Sequence, residues 1–580
     1  MEHPVIIAKQ SDFERVKSLY GKDAFITTLT DRLFRHADRL LGVPPAGYRT
    51  TDGLRLDGEG IQCIIDHLAC AYRLSGKQRY AQRAIAEMDS VCTFPDWQNE
   101  HFLSTAAVAA GMAIGYDWLY EVLTEKQRTA YADAIERFAL EPALEAYRGT
   151  AAYRSGQWFG QIGWTHSRTN WNGVCNGGMI LAAAAILDSD RKRAQEVLAY
   201  AVESLRLLPP VFEPDGGFEE GVSYWLYLNL YLTKALATLE NISGKEDDIF
   251  VTEAFRRSMD YAEAMNHGRF NFNFHDVGVE KNIDISPIMY YAKKFGRTDL
   301  GRKRVQDFKE GILPIADGLC TTDLLWYIPS FAEKPQARQV EDVYFRGIET
   351  AVLRDGGWAV ALHGGSNTAT HGHIDSGSVI IDALGLRWLC DLGKEPLTYV
   401  PNGESYDRWD LYRMRAEGHN TLVVDPDSGA GQKETSVCRI VSFQASGMES
   451  EAAMELTPAY PLAERITRTV RLDKQKYEVI ITDELRLKKP SRVYSFFHTR
   501  AEAELTESGA LLTQNGKHLS VSCNHPMEIM DAVPLASSPQ VRGQAKNTGV
   551  VKLAVILEHV QNAQIILRFS EKKAGSSVLK

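Results

Sequence analysis

The chain has 580 residues, 44% hydrophobic and 24% charged, with a net charge of −10 and a pI near 5.9. That length exceeds one ordinary core and that composition argues against long disorder, so a multidomain globular protein is expected. No basic tract offers a stripe along which phosphates would track, which excludes nucleic acid as an expected partner; an anionic ligand would need a local basic cleft.

The first ten residues carry no basic segment leading into a long apolar run, so no signal peptide is expected. No window approaches ~18 uninterrupted apolar residues, so no membrane partner is expected either. From about 10 to 320 the apolar residues recur at three- and four-residue steps, first clearly at 60–72 before a stop at Ser75-Gly76. The same pattern returns at 105–123, 124–140, 171–187, 191–208 and 221–239, mostly with short Gly-, Asp- or Pro-rich links. Helices of this kind suit stacked hairpins or an α/α toroid. After about 335 the period falls towards two. Residues 343–353 and 358–363 flank an Asp355-Gly356-Gly357 turn, and further strands are expected at 378–382, 420–424, 466–472, 477–482, 492–498 and 550–558. Strands without intervening helices predict a β-sandwich. The fold class is therefore multidomain α + β, with a helical domain over 1–330 and a β domain over 331–580, divided near Ile328-Pro329-Ser330. Eight cysteines, scattered without CxxC spacing, read as buried free thiols of a reducing compartment, with cytoplasm the expected location.

Three blocks carry side chains suited to chemistry. The first, SRTNWNGVCNGG at 167–178, crowds Arg168, Asn170, Trp171, Asn172 and Asn176 at the start of an apolar helix. Thr and Asn there can cap free N–H groups, but Asn amides, an arginine and a helix N-terminus together also make a seat for a carboxylate. The second, at 212–227, turns through Asp215-Gly216-Gly217 into a helix with Glu219 and Glu220 at its start and Tyr224 and Tyr227 on one side. The third is HGHIDSGS at 371–378; three of fifteen histidines fall between 363 and 373. Paired histidines in a polar turn suit metal binding or proton transfer. Asp391 and His419, 18 and 28 residues further along in turn, would complete with His373 a His–Asp–His set with room for a water.

These blocks, in this order, resemble the heparinase II/III-like polysaccharide lyases: a helical half, then HGHxDxGS, DLG at 391–393 and RAEGHNT at 415–421. The resemblance covers most of the chain. It implies an N-terminal incomplete (α/α) toroid followed by a C-terminal antiparallel β-sandwich, with the active site in the cleft between them. It implies β-elimination at a uronic acid: a group neutralises the carboxylate so that the C5 proton can leave, and a tyrosine paired with a histidine moves protons. On this resemblance Asn170 or Asn172 neutralises the carboxylate, Tyr224 or Tyr227 is the acid/base, and His371 is the catalytic histidine. Arg168, His166, Trp171, Glu220 and Arg415 line the substrate. His373, Asp391 and His419 hold a zinc ion that braces the β-domain loop. Some relatives carry His beside the neutralising Asn; here the position is Trp171, which brings His166 into consideration.

The implied partner is an anionic uronate-containing oligosaccharide, of glycosaminoglycan or alginate type, and a homodimer is compatible with the reading. Rival readings are an inverting α/α-barrel glycoside hydrolase, which would recruit two carboxylates from Asp215, Glu219 and Glu220, a uronate epimerase using the same proton abstraction, and a non-catalytic pair of carbohydrate-binding modules.

Overall fold

The computed structural model describes residues 2–48, 56–151, 163–189, 192–246, 248–280, 286–312, 321–335, 341–399 and 406–572. Contacts divide the chain into two units that are not two continuous stretches. The first comprises 1–212, 224–259 and 282–337; the second comprises 213–223, 260–281 and 338–580. Two segments of the helical half of the sequence thus belong to the β-rich unit.

The first unit is helical and built from two kinds of helix. Ala24–Leu40, Gln78–Val91 and Lys192–Leu205 are amphipathic and bury one face. Phe102–Trp118 and Asn170–Ala185 are buried at every position. Helices without a polar face need neighbours all round, which is what the inner layer of an α/α arrangement supplies. Small residues let them approach closely: a Cβ on Gly178 would lie 2.5 Å from the Ala106 carbonyl oxygen. Local signals set the helix ends. Asp23 accepts hydrogen bonds from the Phe25 and Ile26 amides, Thr124 and Gln127 form a capping box, and Gly76 ends Gly58–Ser75 at φ 71°. The pattern expected at 124–140 is an α-helix over Glu125–Ile135 continued by a wider π turn over Glu136–Leu140.

The second unit holds a five-stranded antiparallel sheet from Val343–Phe345 to Leu386–Leu389 and a larger antiparallel sheet built around Glu478–Thr499 and Val551–Glu571. One core joins them: Leu353, Trp358, Val360 and Ile381 from the first cluster with Ala452, Ile466, Val479 and Leu567 from the second. Two sheets sharing one apolar layer make a sandwich. The strands expected at 477–482 and 492–498 are one strand, Glu478–Thr499, whose register slips between Arg486 and Ser491, around Pro490. A proline cannot donate to the ladder, so the strand bulges there without ending. Conversely, 343–353 breaks into Val343–Phe345 and Thr350–Asp355.

The segment 265–280 is strapped to the five-stranded sheet by two buried arginines. Arg387 donates to the Asn271 carbonyl at 2.6 Å and the Asn273 side chain at 2.9 Å, and Arg354 donates to the Asn266 carbonyl at 2.9 Å. Phe272 lies beneath both guanidiniums, 5.5 and 5.7 Å from its ring centre. This strap fixes the position of His275 and Asp276. Among the described residues no helix is long and apolar enough to cross a membrane. The described cysteines are all free thiols; Cys320 lies outside the described residues.

Candidate active site and metal centre

In the β-rich unit the His-rich turn is held by close packing. A Cβ on Gly372 would lie 2.7 Å from the Ala369 carbonyl oxygen, and one on Gly418 would lie 2.2 Å from that of Tyr412. Only glycine fits between the two histidines of the turn and before His419. The other polar residues of the motifs tie strands together. Asn420 donates to the Val379 and Cys390 carbonyls, Thr421 to the Ser376 carbonyl, and Ser376 to Asn367. The buried Arg468, paired with Asp483 at 2.6 Å, donates to the Gly377 and Asn420 carbonyls. Those residues build the platform; His371, His373, Asp391 and His419 are what it presents.

His373, Asp391 and His419 lie together, fully buried, with donor atoms within 4.8 Å of one another. In each histidine one ring nitrogen is committed to a carboxylate: His373 Nε2 to Asp276 Oδ1 at 3.1 Å, and His419 Nδ1 to Asp391 Oδ2 at 2.7 Å. The other nitrogen, Nδ1 of His373 and Nε2 of His419, is buried with no partner. A carboxylate that fixes the tautomer and an imidazole nitrogen left bare is the usual surrounding of a bound transition metal, so these residues fit one. Burial pushes His373 down to about 4 against the pull of Asp276, so the ring is neutral, the form that binds metal. Burial alone would also lower His419 and raise Asp391, but each is held the other way by its partner.

Asp276, which the sequence reading missed, joins this centre to His371. Its Oδ1 faces His373; its Oδ2 lies 3.3 Å from His371 Nδ1, accepts from the Tyr399 hydroxyl at 2.5 Å, and lies 3.3 Å from Arg408. Burial would raise this carboxyl, but hydrogen bonds from His371 and His373 and the nearby Arg408 hold it well below the usual carboxylate range. His371 is partly exposed and has φ 61°, and its carbonyl accepts the Asp276 amide. Non-glycine residues rarely adopt that φ, so the turn holds the ring in a fixed attitude at a local cost. Tyr399 lies 3.2 Å from His371 Nδ1, and the buried Glu220 carboxylate is 3.6 Å from its Nε2. Imidazole, phenol, guanidinium and two carboxylates in one place make a proton-handling cluster.

Arg415 requires a correction. It is buried, and its guanidinium is spent on Glu417 and the Trp409 and Gly429 carbonyls, so it braces the loop and offers nothing to a substrate. Arg408, absent from the reading, is the cation at the cluster.

In the helical unit Asn170 opens the helix Asn170–Ala185, with His166 and Arg168 exposed just before it and Trp171 buried against His101. Asn172 is excluded as a free amide: its side-chain nitrogen donates to the Ser167 and Ser204 carbonyls and its oxygen accepts from Asn176. Asn170 is buried as well. Tyr224 lies in the first turn of Val222–Ser243 and is half-buried. Desolvation, with Glu59 and Tyr231 nearby, pushes the Tyr227 phenol well above the ordinary value, which unsuits it as a base. Asp215 serves a turn, accepting the Arg346 and Gly217 amides, which weakens a hydrolase carboxylate pair.

Residues 338–578 match the model of the family described as heparinase II/III-like, C-terminal, so this part of the chain is a heparinase II/III-like domain. No curated protein matches the chain by sequence. Among solved structures it is similar to a heparinase III (TM-score 0.64, 15% identity, covering 89% of this chain and 77% of that one). It is also similar to the heparan sulfate lyase HepC of Pedobacter heparinus (0.57, 12%, 94% and 83%). A third is the chondroitin AC lyase of Streptomyces coelicolor A3 in complex with chondroitin sulphate (0.53, 12%, 94% and 80%). At these identities the likeness speaks for the fold.

Proposed function

We propose that the chain is a polysaccharide lyase that cleaves uronic-acid-containing glycans, with glycosaminoglycan-type oligosaccharides favoured over alginate-type ones, by β-elimination. The observation that carries the reading is the His371–Tyr399–Asp276–Arg408 cluster beside a buried His–Asp–His metal site, in a domain of the heparinase II/III-like family. The chemistry needs the substrate carboxylate neutralised, the C5 proton removed, the C4–O4 bond broken with its electrons leaving on O4, and that oxygen protonated. Asn170, backed by Arg168 and the helix N-terminus, supplies an amide for the carboxylate. Tyr224 exchanges the protons, and His371, oriented by Asp276, orders and polarises the reacting groups. The similar structures named for heparan sulfate and chondroitin substrates support the substrate class. His373, Asp391 and His419 would hold zinc, which supplies rigidity to the His-rich turn; the side chain that faces substrate is the neighbouring His371.

Incubation with a panel of heparan, chondroitin, hyaluronan and alginate oligosaccharides, followed by ultraviolet absorbance, tests this. A conjugated product from at least one uronate glycan is expected; turnover of a glycan without such absorbance would favour a hydrolase.

A further inference from the structure

A second set of metal-type side chains stands beside the first. His275, His363 and Asp375 have donor atoms within 4.8 Å of one another, and all three are at least nine-tenths buried. The His275 and His363 rings meet through their Nε2 atoms at 2.9 Å, and Asp375 Oδ1 is 3.8 Å from His363 Nε2. The tautomer of His363 follows from its neighbours. The Thr350 hydroxyl donates to the Ile348 carbonyl at 3.1 Å, so at 2.8 Å it accepts from His363 Nδ1–H. That leaves a lone pair on His363 Nε2, aimed at the other ring. His275 is itself hydrogen-bonded to the backbone of Glu219.

A proton between the rings would satisfy them and nothing else. Asp375 Oδ2 is buried with no hydrogen-bond partner, and a carboxylate left so is costly unless a positive centre sits beside it. Tetrahedral zinc with bonds of ~2.0–2.1 Å sets its ligand atoms roughly 3.3 Å apart, and the separations of 2.9 and 3.8 Å bracket that spacing. His275 also has φ 64°, a strained backbone that serves to aim its ring. A cavity of about 340 Å³, lined by both imidazoles with Arg346 and Arg439, provides an entry path and space for a further ligand.

We propose that His275, His363 and Asp375 bind a second divalent ion of the zinc class, with a fourth position open to the cavity and filled by exchangeable water. Three protein ligands with an open position distinguish this site from a closed structural one. The inference stands apart from the lyase reading, because it concerns metal count alone.

Metal content decides it. The whole chain is stripped with a chelator, titrated with zinc, dialysed and counted by plasma mass spectrometry. A Cys63→Ser background removes the half-exposed His36–Cys63–His67 cluster, the other described group able to hold zinc. The background protein should bind two equivalents. His363→Gln and Asp375→Asn should each bind one, His373→Gln should bind one, and His363→Gln with His373→Gln none. The proposal is overturned if the background binds one equivalent, or if a folded His363→Gln or Asp375→Asn protein keeps the full count. Should both variants fail to fold, the His373→Gln protein still decides: one retained equivalent supports the second site and none refutes it.

Discussion

Replacing Asp276 by asparagine changes one oxygen into an amide without altering size, and the structure says what that costs. Asparagine keeps one acceptor, enough for His373 Nε2 at 3.1 Å, but its NH2 then faces His371, Tyr399 and Arg408, all donors to the present carboxylate. A hydrogen bond to a charged group contributes ~1.5–3 kcal/mol. Losing the one that orients His371 therefore lowers the rate by roughly 10- to 150-fold, at about 1.4 kcal/mol per decade. The partner of a metal-bound imidazole contributes ~10–100-fold to metal affinity, so zinc binding weakens within that range. Initial rates by ultraviolet absorbance on the best glycan give kcat and KM, and competition with a chromophoric chelator gives zinc affinity. The expected result is a fall in kcat with little change in KM, alongside weaker zinc binding in a folded protein. A kcat and zinc affinity within twofold of wild type would refute the role assigned to Asp276.

Tyr224→Phe should lower turnover by ~10²–10⁴-fold, the usual contribution of a positioned acid/base, whereas Tyr227→Phe should stay within a few-fold; equal losses in steady-state kinetics would contradict the assignment. His373→Ala should lose one zinc equivalent and melt lower in calorimetry than the zinc-loaded wild type; an unchanged zinc count and melting point would contradict its place in the metal site. Lys552 is 1% exposed beside Tyr412 and Phe496, and burial depresses its ammonium to about 8 from 10.5, against the pull of Glu417. Between those values the unfolded chain binds the proton and the folded one does not, so stability should rise with pH from about 8 to 10.5, by about 3 kcal/mol in all. Denaturant unfolding of wild type against Lys552→Met across that window reads this; parallel profiles would show that Lys552 carries no such linkage.

The sequence disclosed those parts of the site that recur as short motifs. His371, His373, Asp391 and His419 stand in three glycine-punctuated turns, and the structure brings the last three together because each turn caps a strand of the sandwich. The helical and strand-rich halves were legible because burial imposes periods of 3.6 and 2. Asp276, Tyr399 and Arg408 were not, because nothing local marks them. Asp276 lies in an aperiodic stretch of the helical half that joins the β-rich unit through long-range contacts, the Arg354 and Arg387 clamps on its backbone among them. His363 was visible as one of a histidine group, but its neighbour His275 lies 88 residues earlier. Asn172, the alternative to Asn170 in the sequence, is tied by its side-chain amide to Ser167 and Ser204, which no local pattern could disclose. Arg415 sits in a motif that resembles a substrate contact, and its burial shows that a motif can record a brace as faithfully as a ligand site.

The central claim is elimination without water addition. Digesting the most reactive uronate oligosaccharide in heavy-oxygen water and weighing the products tests it most directly. A lyase yields an unsaturated fragment one water lighter than a hydrolysis product, with no heavy oxygen fixed in any glycosidic position by the cleavage step, and this is the predicted result. Fragments at the full mass of hydrolysis products, without a double bond, would contradict the account, and an uncleaved chain that takes up deuterium at C5 in deuterated water would replace it with an epimerase.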